Sequence, residues 1–535
     1  MEQVVSSAGV LPKNRWVRIT SRVRVDAPTL AEWGWAALST SFLILAFPNF
    51  ESYFLAWIAL APLMLVIARR PNPASAFILG WATGTVFFYV TCYWLTYSMI
   101  HYGGLPTVLA YVLLIPGAIV IGVFPGIFTL FLALAIRRWG HMALLLAPVF
   151  WTALEWARLG VTGQLWNALG YSQAFDPFLI QPARWGGVYA VSFLLVAVNS
   201  AIALLIVKQT RRTISAAALT ILFVLSAILF SQLGRFSYDF DNDDRLTVVA
   251  LQPNVPMHLV KSPDEIKQLL DRHLTLSQQG LQNAGNRYPR LVIWPESPMN
   301  FTYGSDKTLQ ELVANFAREN RTSLLFNSLE SSPSGGSYNS ALLINEHGQL
   351  ISQYDKIRLM PFGEYVPLPQ WLPGASLISA IVGDFTPGTE YTLMPLEHRR
   401  AGVFICIESA YPWIARTMVK EGADGLINIS NDGYLGPTAV MRQHLANVIF
   451  RAVENNRPLL RVTNTGLSAA IAEDGRVLET TEGFVPDVRV WSYSEKKTGH
   501  TFYTMYGDVF VYVCAAITIL VLGAILLRPA KRAQA

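Results

Sequence analysis

Three residues in the second half of the chain could together act on a carbonyl group. Glu296 follows the run LVIWP, Lys356 follows ISQYD and Cys406 follows AGVFI. A thiol becomes a strong nucleophile once it loses its proton. A partly desolvated carboxylate can take that proton. An ammonium group, helped by a backbone N–H beside the nucleophile, stabilises the charge that builds on the attacked oxygen. Each residue also has a structural reading when taken singly: an inert core cysteine, a helix-capping glutamate and a surface lysine. Their spacing in the sequence does not choose between these.

The elements that must position them are legible nearby. Strand-like runs are Leu246–Gln252, Leu291–Trp294, Ser323–Asn327, Asn339–Ile344, Gly402–Ile407, Gly425–Ile429, Leu459–Thr463 and Ser468–Ala472. Helix-like runs at 263–284, 307–319, 412–421 and 439–455 lie between them. Alternation of this kind predicts a layered α/β domain over 243–495 with strands buried on both faces. Such a scaffold presents polar groups at the ends of its strands, where all three residues stand. No repeat of 20–50 residues is evident.

The rest of the chain has a different solvent. Only 14% of its 535 residues are charged and 52% are hydrophobic, against about 25% charged in soluble domains. The stretch 33–136 holds three charged side chains, Glu51, Arg69 and Arg70, which suits a bilayer better than a soluble core. Eight spans are predicted, at 33–48, 53–68, 75–98, 106–136, 140–158, 185–207, 213–232 and 508–527. Pro116 and Pro125 suggest that the fourth is kinked or partly re-entrant. The first 32 residues form a polar, basic arm with no short apolar core of a leader, so a cleaved signal peptide is not expected. With eight spans, the basic clusters Lys13–Arg24, Arg69–Arg70, Arg137–Arg138, Lys208–Arg212 and Arg528–Arg532 all fall on one side. The positive-inside rule makes that side cytoplasmic, with both termini and the tail 528–535 inside and the domain 243–495 outside.

Some function classes drop out. The net charge of +5 is small and its clusters flank the spans, so no nucleic-acid partner is expected. Cys92, Cys406 and Cys514 give the α/β domain no disulfide framework. With no CxxC, HExxH or Gly-rich phosphate loop, neither a metal nor another cofactor is implied.

The motifs LVIWPES, YDKIRLMPFGEYVP and VFICIES resemble, in that order, the Glu, Lys and Cys motifs of the nitrilase (carbon–nitrogen hydrolase) superfamily. Together with WTALEWARLGVTGQLWNALGYSQ, LINISNDGYLG and ENNRPLLRVTNTG they are similar to the bacterial apolipoprotein N-acyltransferase family over nearly the whole chain after residue 33. The resemblance implies an αββα sandwich inserted between spans seven and eight. It implies Glu296 as general base, Lys356 as oxyanion stabiliser and Cys406 as nucleophile. Glu364 matches a second carboxylate that supports this triad. Glu408 matches a further acidic position, open to either catalysis or structural pairing with Lys356 or an arginine. If Cys406 and Glu408 lie on a strand, both point the same way. The implied reaction is ping-pong transfer of a fatty acyl chain from a phospholipid, phosphatidylethanolamine in the family, to the α-amine of diacylglyceryl-cysteine in an apolipoprotein. The implied place is the bacterial inner membrane, with the catalytic domain periplasmic.

The chain departs from the family pattern at Ile407 (often Tyr), at Tyr434 and Leu435 (Trp and Phe in SNDAWFG) and at Lys261 (Trp). The Pro-rich segment 359–387 reads as a lid or membrane-dipping arm, or as a loop packed on the sheet. The connection 159–184 lines a lipid entrance or is an interfacial loop, and Glu155 and Arg158 beside it either pair structurally or mark a pathway. The alternatives are a membrane-tethered amidase using water, a transporter with an external ligand domain and a catalytically silent scaffold. The absence of paired half-repeats speaks against the transporter.

Overall fold

The computed structural model describes residues 27–163, 165–233, 245–257, 261–333, 335–361, 363–365, 385–494 and 499–527. Among these, six helices are long and apolar enough to cross a bilayer: Pro73–Thr91, Thr107–Trp139, His141–Thr162, Val188–Val207, Arg211–Ser231 and Val509–Leu527. Two shorter apolar segments, Leu30–Leu45 and Tyr53–Arg69, stand where the first two spans are predicted. The second of these is a 3-10 turn, Tyr53–Trp57, followed by a helix, Ala61–Arg69. The third predicted span ends early: its helix stops at Thr91 and the chain resumes as a separate short helix, Leu95–His101. The fourth is a single helix of 33 residues that runs through both Pro116 and Pro125 without re-entering. At 1.5 Å per residue it is about 50 Å long, more than the ~30 Å hydrocarbon layer. Glycines let it approach Pro73–Thr91 closely, since a Cβ on Gly84 would meet Pro125 and one on Gly122 would meet Thr85. The basic arm 1–26 and the tail 528–535 lie outside the described residues.

The α/β domain is two six-stranded sheets packed face to face. The first is built from β1 (Arg245–Gln252), β2 (Arg290–Ile293), β3 (Ser323–Ser331), β4 (Ser337–Ile344) and β5 (Leu350–Asp355). The second contains β6 (Leu393–Leu396), β7 (Arg399–Ile405), β8 (Gly425–Ser430), β9 (Leu459–Thr463), β10 (Ala469–Ile471) and β11 (Val477–Thr480). The last strand, β12 (Asp487–Ser494), returns to pair antiparallel with β1 and completes the first sheet. Each sheet has three parallel central strands, β1-β2-β3 and β7-β8-β9, with antiparallel neighbours.

Alternation along β1 shows the layering. Leu246, Val248 and Ala250 share a core with Val403, Ile405, Ile427 and Val462 of the second sheet. Val249 and Leu251 face the other way and pack with Leu281, Val313 and Phe316 of the helices Pro263–Ala284 and Lys307–Asn320. Helices Pro412–Lys420 and Val440–Asn455 belong to the second sheet's half of the chain. The arrangement is the predicted αββα sandwich. Four strands escape a reading of apolar runs: β5, β6, β11 and β12. β5 is exposed at its first two residues and β11 over most of its length, β6 contains Pro395 and β12 carries charge at Asp487 and Arg489. Edge strands of this kind carry charges and Pro instead of apolar runs.

The helix Val440–Asn455 also joins the sandwich to the membrane helices. Trp94 and Trp166 both donate to Gln443 Oε1, at 2.9 and 2.7 Å. Arg442 grips Glu51 through two nitrogens at 2.6 and 2.8 Å and lies 3.7 Å over the Phe175 ring. Arg451 holds Glu454 at 2.8 Å, and Glu454 accepts the N–H of Val188 at 2.9 Å.

Candidate active site

Glu296 sits three residues past β2, at the mouth of the sandwich. Its Oε1 accepts from Asn339 Nδ2 at 2.9 Å and lies 3.4 Å from Lys356 Nζ. Its Oε2 is buried and has no hydrogen-bond partner among the described residues, which leaves one carboxylate oxygen uncommitted there. Lys356 follows β5 directly and is 1% exposed. Its backbone N–H donates to Asn339 O at 2.8 Å, which extends the β4–β5 pairing and fixes where the side chain points. Glu364 closes the group: Oε1 is 2.8 Å from Lys356 Nζ and 2.7 Å from Asn339 Nδ2, and Oε2 accepts Met360 N–H at 2.7 Å. One ammonium is therefore held between two carboxylates, with Asn339 bridging both.

Cys406 comes at the end of β7, where the strand turns abruptly into the 3-10 turn Cys406–Ala410. Its φ is +53°, the left-handed region that costs a non-glycine residue on the order of 1–3 kcal/mol. A strained strand-to-helix turn pushes a nucleophile out of the sheet. The thiol is packed round by protein and only partly exposed. Burial, then the charge of Glu296, push it up to about 12, against the pull of Lys356. At neutral pH it therefore rests as a thiol. Burial alone would drive Lys356 down, but Glu296 and then Glu364 outweigh it and hold the amine well above its ordinary value. Moving the thiol proton to Glu296 keeps the net charge of the group constant, so the cluster can generate thiolate without a new buried charge.

Glu408 is not on a strand, so the alternation expected to align it with Cys406 does not apply. The turn carries it behind Cys406 instead. It accepts from Tyr354 OH at 2.8 and 2.9 Å and from the N–H groups of Ile405, Ile357 and Arg358 at 2.7, 2.7 and 3.1 Å. Its hydrogen-bond partners are thus a tyrosine and three backbone N–H groups; neither Lys356 nor an arginine side chain is among them. It ties the turn of Cys406 to the segment that carries Lys356. Burial raises its carboxyl to about 7 despite those donors.

A second buried group lies beneath the same turn, and the sequence reading did not single it out. His444 Nε2 is 2.9 Å from the backbone oxygen of Cys406, and its Nδ1 is 2.9 Å from Asp432 Oδ1. Arg461 contacts both oxygens of Asp432, at 3.0 and 2.8 Å. Asn339 and His444 lie outside the quoted motifs, whereas Asp432 falls in LINISNDGYLG and Arg461 in ENNRPLLRVTNTG without either being marked there as part of the site.

The departures from the family pattern surround these groups. Tyr434 stacks on Tyr102 of the membrane part, with centroids 5.3 Å apart. Ile407 is buried, and Lys261 donates to Pro298 O at 3.1 Å. Glu155 and Arg158 are both buried and brace the following loop. Glu155 accepts Leu169 N–H at 2.7 Å and Arg158 donates to Trp166 O at 2.7 Å. They also line an apolar cavity between the membrane helices. Of the expected lid, residues 362 and 366–384 lie outside the described residues.

The two-sheet sandwich and the strand-end cluster define the class first: residues 245–488 match the carbon-nitrogen hydrolase family model. In the membrane part, residues 39–201 match the model of the apolipoprotein N-acyltransferase N-terminal domain. An apolipoprotein N-acyltransferase of Geobacter metallireducens is 31% identical over 92% of this chain and 94% of its own. Another, of Pasteurella multocida, is 26% identical over 90% and 92%. The chain belongs to the apolipoprotein N-acyltransferase family. Among solved structures, an amidase from Nesterenkonia sp. AN1 covers 52% of this chain and 99% of its own at 17% identity and TM-score 0.38. Saccharomyces cerevisiae Nit3 covers 50% and 94% at 18% identity and TM-score 0.37.

Proposed function

We propose that this protein transfers a fatty acyl chain from a membrane phospholipid, phosphatidylethanolamine in the first instance, to the α-amine of diacylglyceryl-cysteine at the N-terminus of an apolipoprotein. The observation that carries the reading is the Cys406 turn. Its nucleophile is coupled electrostatically to Glu296, Lys356 and Glu364, and its far end is bound to a membrane-domain loop through Leu165 N–H to Ala410 O at 3.2 Å. A soluble amidase has no use for that second attachment.

In the first half-reaction Glu296 takes the Cys406 proton and the thiolate attacks the ester carbonyl. Lys356 and the N–H groups of the turn stabilise the oxyanion. The ester C–O bond breaks, the proton passes to the departing oxygen and a lysophospholipid leaves a thioester on Cys406. In the second half the amine attacks the thioester, Glu296 accepts its proton, the C–S bond breaks and the thiol is restored. Glu364 and Asn339 hold Lys356 and Glu296 in register, while Glu408 fixes the turn.

The domain arrangement follows: a basic arm to residue 32, membrane segments over 33–232, the catalytic domain over 243–495, a last span at 508–527 and a basic tail. Eight crossings put both termini in the cytoplasm and the thiol over the outer leaflet of the inner membrane. Both lipid substrates have their reacting groups in that leaflet.

Intact mass measurement of membrane-purified protein tests the reading. A fatty-acyl mass increment that hydroxylamine removes and Cys406→Ala lacks is expected. An increment that persists in Cys406→Ala, or turnover of a soluble amide with none of phospholipid, would overturn it.

A further inference from the structure

His444 lies between two groups that can only accept hydrogen bonds. Its Nε2 faces the backbone carbonyl of Cys406 at 2.9 Å, and its Nδ1 faces Asp432 Oδ1 at 2.9 Å. A carbonyl oxygen never donates, and Asp432 is held ionised because Arg461 and then His444 outweigh the effect of burial and lower it to about 2. Pairing with both acceptors calls for a hydrogen on each ring nitrogen. A neutral ring would leave a lone pair pointed at Asp432 Oδ1. Burial first, and then Arg461, lower the ring's pKa below its ordinary value against the pull of Asp432 and the carbonyl, so the charged form rests on the geometry of the two acceptors alone. His444, Asp432 and Arg461 are all at most 2% exposed, so water does not substitute for these contacts. Asn428 Nδ2 reaches the same carbonyl only at 3.5 Å, which makes the histidine its main donor.

That carbonyl belongs to the residue with φ +53°. A conformation that costs 1–3 kcal/mol persists only when surrounding contacts over-determine it. Here the contacts are Glu408 on the N–H of Ile405 and His444 on the carbonyl of Cys406 itself.

We infer that His444 is a positioning residue for the Cys406 nucleophile: as an imidazolium bridging Asp432 and the Cys406 carbonyl, it holds the strained turn and adds positive charge beside the thiol. The inference rests on Cys406 being the nucleophile. The charged groups around the thiol are then His444, Asp432 and Arg461 beneath the turn, with Glu296, Lys356 and Glu364 in the cluster described above. The clamp also reaches the membrane part, because the Trp166 ring packs against His444 at 5.6 Å and bonds the adjacent Gln443.

The test uses the full-length protein in detergent, as wild type, His444→Gln and His444→Leu. Alkylation by iodoacetamide is followed from pH 6 to 10 and mapped by peptide mass, so that Cys92 and Cys514 are scored apart. Single-turnover acylation by phosphatidylethanolamine and the melting temperature are measured alongside. Loss of the clamp in the leucine variant should slow acylation about 10²-fold, the scale of a ~1 Å misplacement. The glutamine variant, which keeps an N–H for the carbonyl, should recover most of that rate. Its alkylation midpoint should still move to higher pH, because the ring's charge is gone. A purely structural histidine would leave the midpoint unmoved. If the leucine variant fails to fold, the glutamine variant decides alone: a wild-type alkylation profile overturns the inference. If wild-type protein is alkylated at Cys406 but never acylated, the acyl-transfer reading fails, while the alkylation comparison still decides the role of His444.

Discussion

Lys356 Nζ stands 2.8 Å from Glu364 but 3.4 Å from Glu296. The two carboxylates are therefore not equivalent. Glu364 is fully engaged, by the lysine, by Asn339 and by the N–H of Met360. Glu296 keeps one buried oxygen without a partner among the described residues. The loosely held carboxylate is the one free to receive a proton, and the tightly held one anchors the ammonium.

The asymmetry predicts unequal losses. Glu296→Gln removes the proposed proton acceptor and should slow acyl-enzyme formation by about 10²–10⁴-fold, the usual contribution of a general base. Glu364→Gln should cost less, because Lys356 keeps Glu296 as a partner. Single-turnover acylation of Cys406, read by mass, compares them; equal losses would contradict the assignment of roles.

The thiol's titration should move the other way. Burial comes first in raising Cys406 to about 12, and the Glu296 charge comes second. Neutralising Glu296 must therefore lower the pH at which Cys406 alkylates, even as acyl transfer falls. Lys356→Met should raise it. Alkylation rates between pH 7 and 10 check both signs.

Glu408 ties stability to pH. Its carboxyl is raised from 4.5 to about 7, chiefly by burial. Between those values the folded state binds more protons than the unfolded one, so this group's contribution to stability is present below about 4.5 and is lost as pH rises through 7. The melting temperature of wild type relative to Glu408→Gln should accordingly fall between pH 5 and 8. A constant difference would mean that Glu408 does not titrate in this window.

Gln443 holds two buried tryptophan N–H groups from the membrane part. Gln443→Leu strands the Trp166 N–H, while Trp94 keeps the Thr91 carbonyl at 3.1 Å, and an unmet buried donor costs about 1–3 kcal/mol. A melting temperature lower by several degrees in detergent is expected. Glu51→Gln, which breaks a partly exposed pair with Arg442, should cost no more than about 1 kcal/mol.

The proposed topology predicts opposite accessibility for two exposed positions. A membrane-impermeant maleimide applied to intact spheroplasts should label Lys420→Cys above the parent's background and leave Arg137→Cys unlabelled. The reverse pattern would invert the orientation.

Much of this molecule was legible before any coordinates. The apolar segments announce themselves by length and by the scarcity of charge, because a bilayer imposes both. The central strands announce themselves as Val, Ile and Leu runs, because parallel strands are buried on both faces. The helix at 263–284 could be read to its ends: Ser262 caps it, accepting from the N–H of Glu265, and Pro263 opens it. The edge strands β5, β6, β11 and β12 were not legible, since a polar or Pro-bearing edge looks like a loop. The break after Thr91 also escaped, because the residues 92–100, CYWLTYSMI, hold no charge, Gly or Pro to mark a stop.

Residue type and hydropathy are local properties, so the chain alone specifies which side chains could do chemistry and that two solvents act on it. How those side chains are used depends on the fold. Asn339 bridges Glu296 and Glu364 because β4 pairs with β5. Glu408 turns behind Cys406 because the strand ends at Ile405. His444 meets the carbonyl of Cys406 from a helix 38 residues away in the chain. Hydrogen bonds act over about 3 Å of space, and no spacing along the sequence encodes which distant groups folding will bring to that distance.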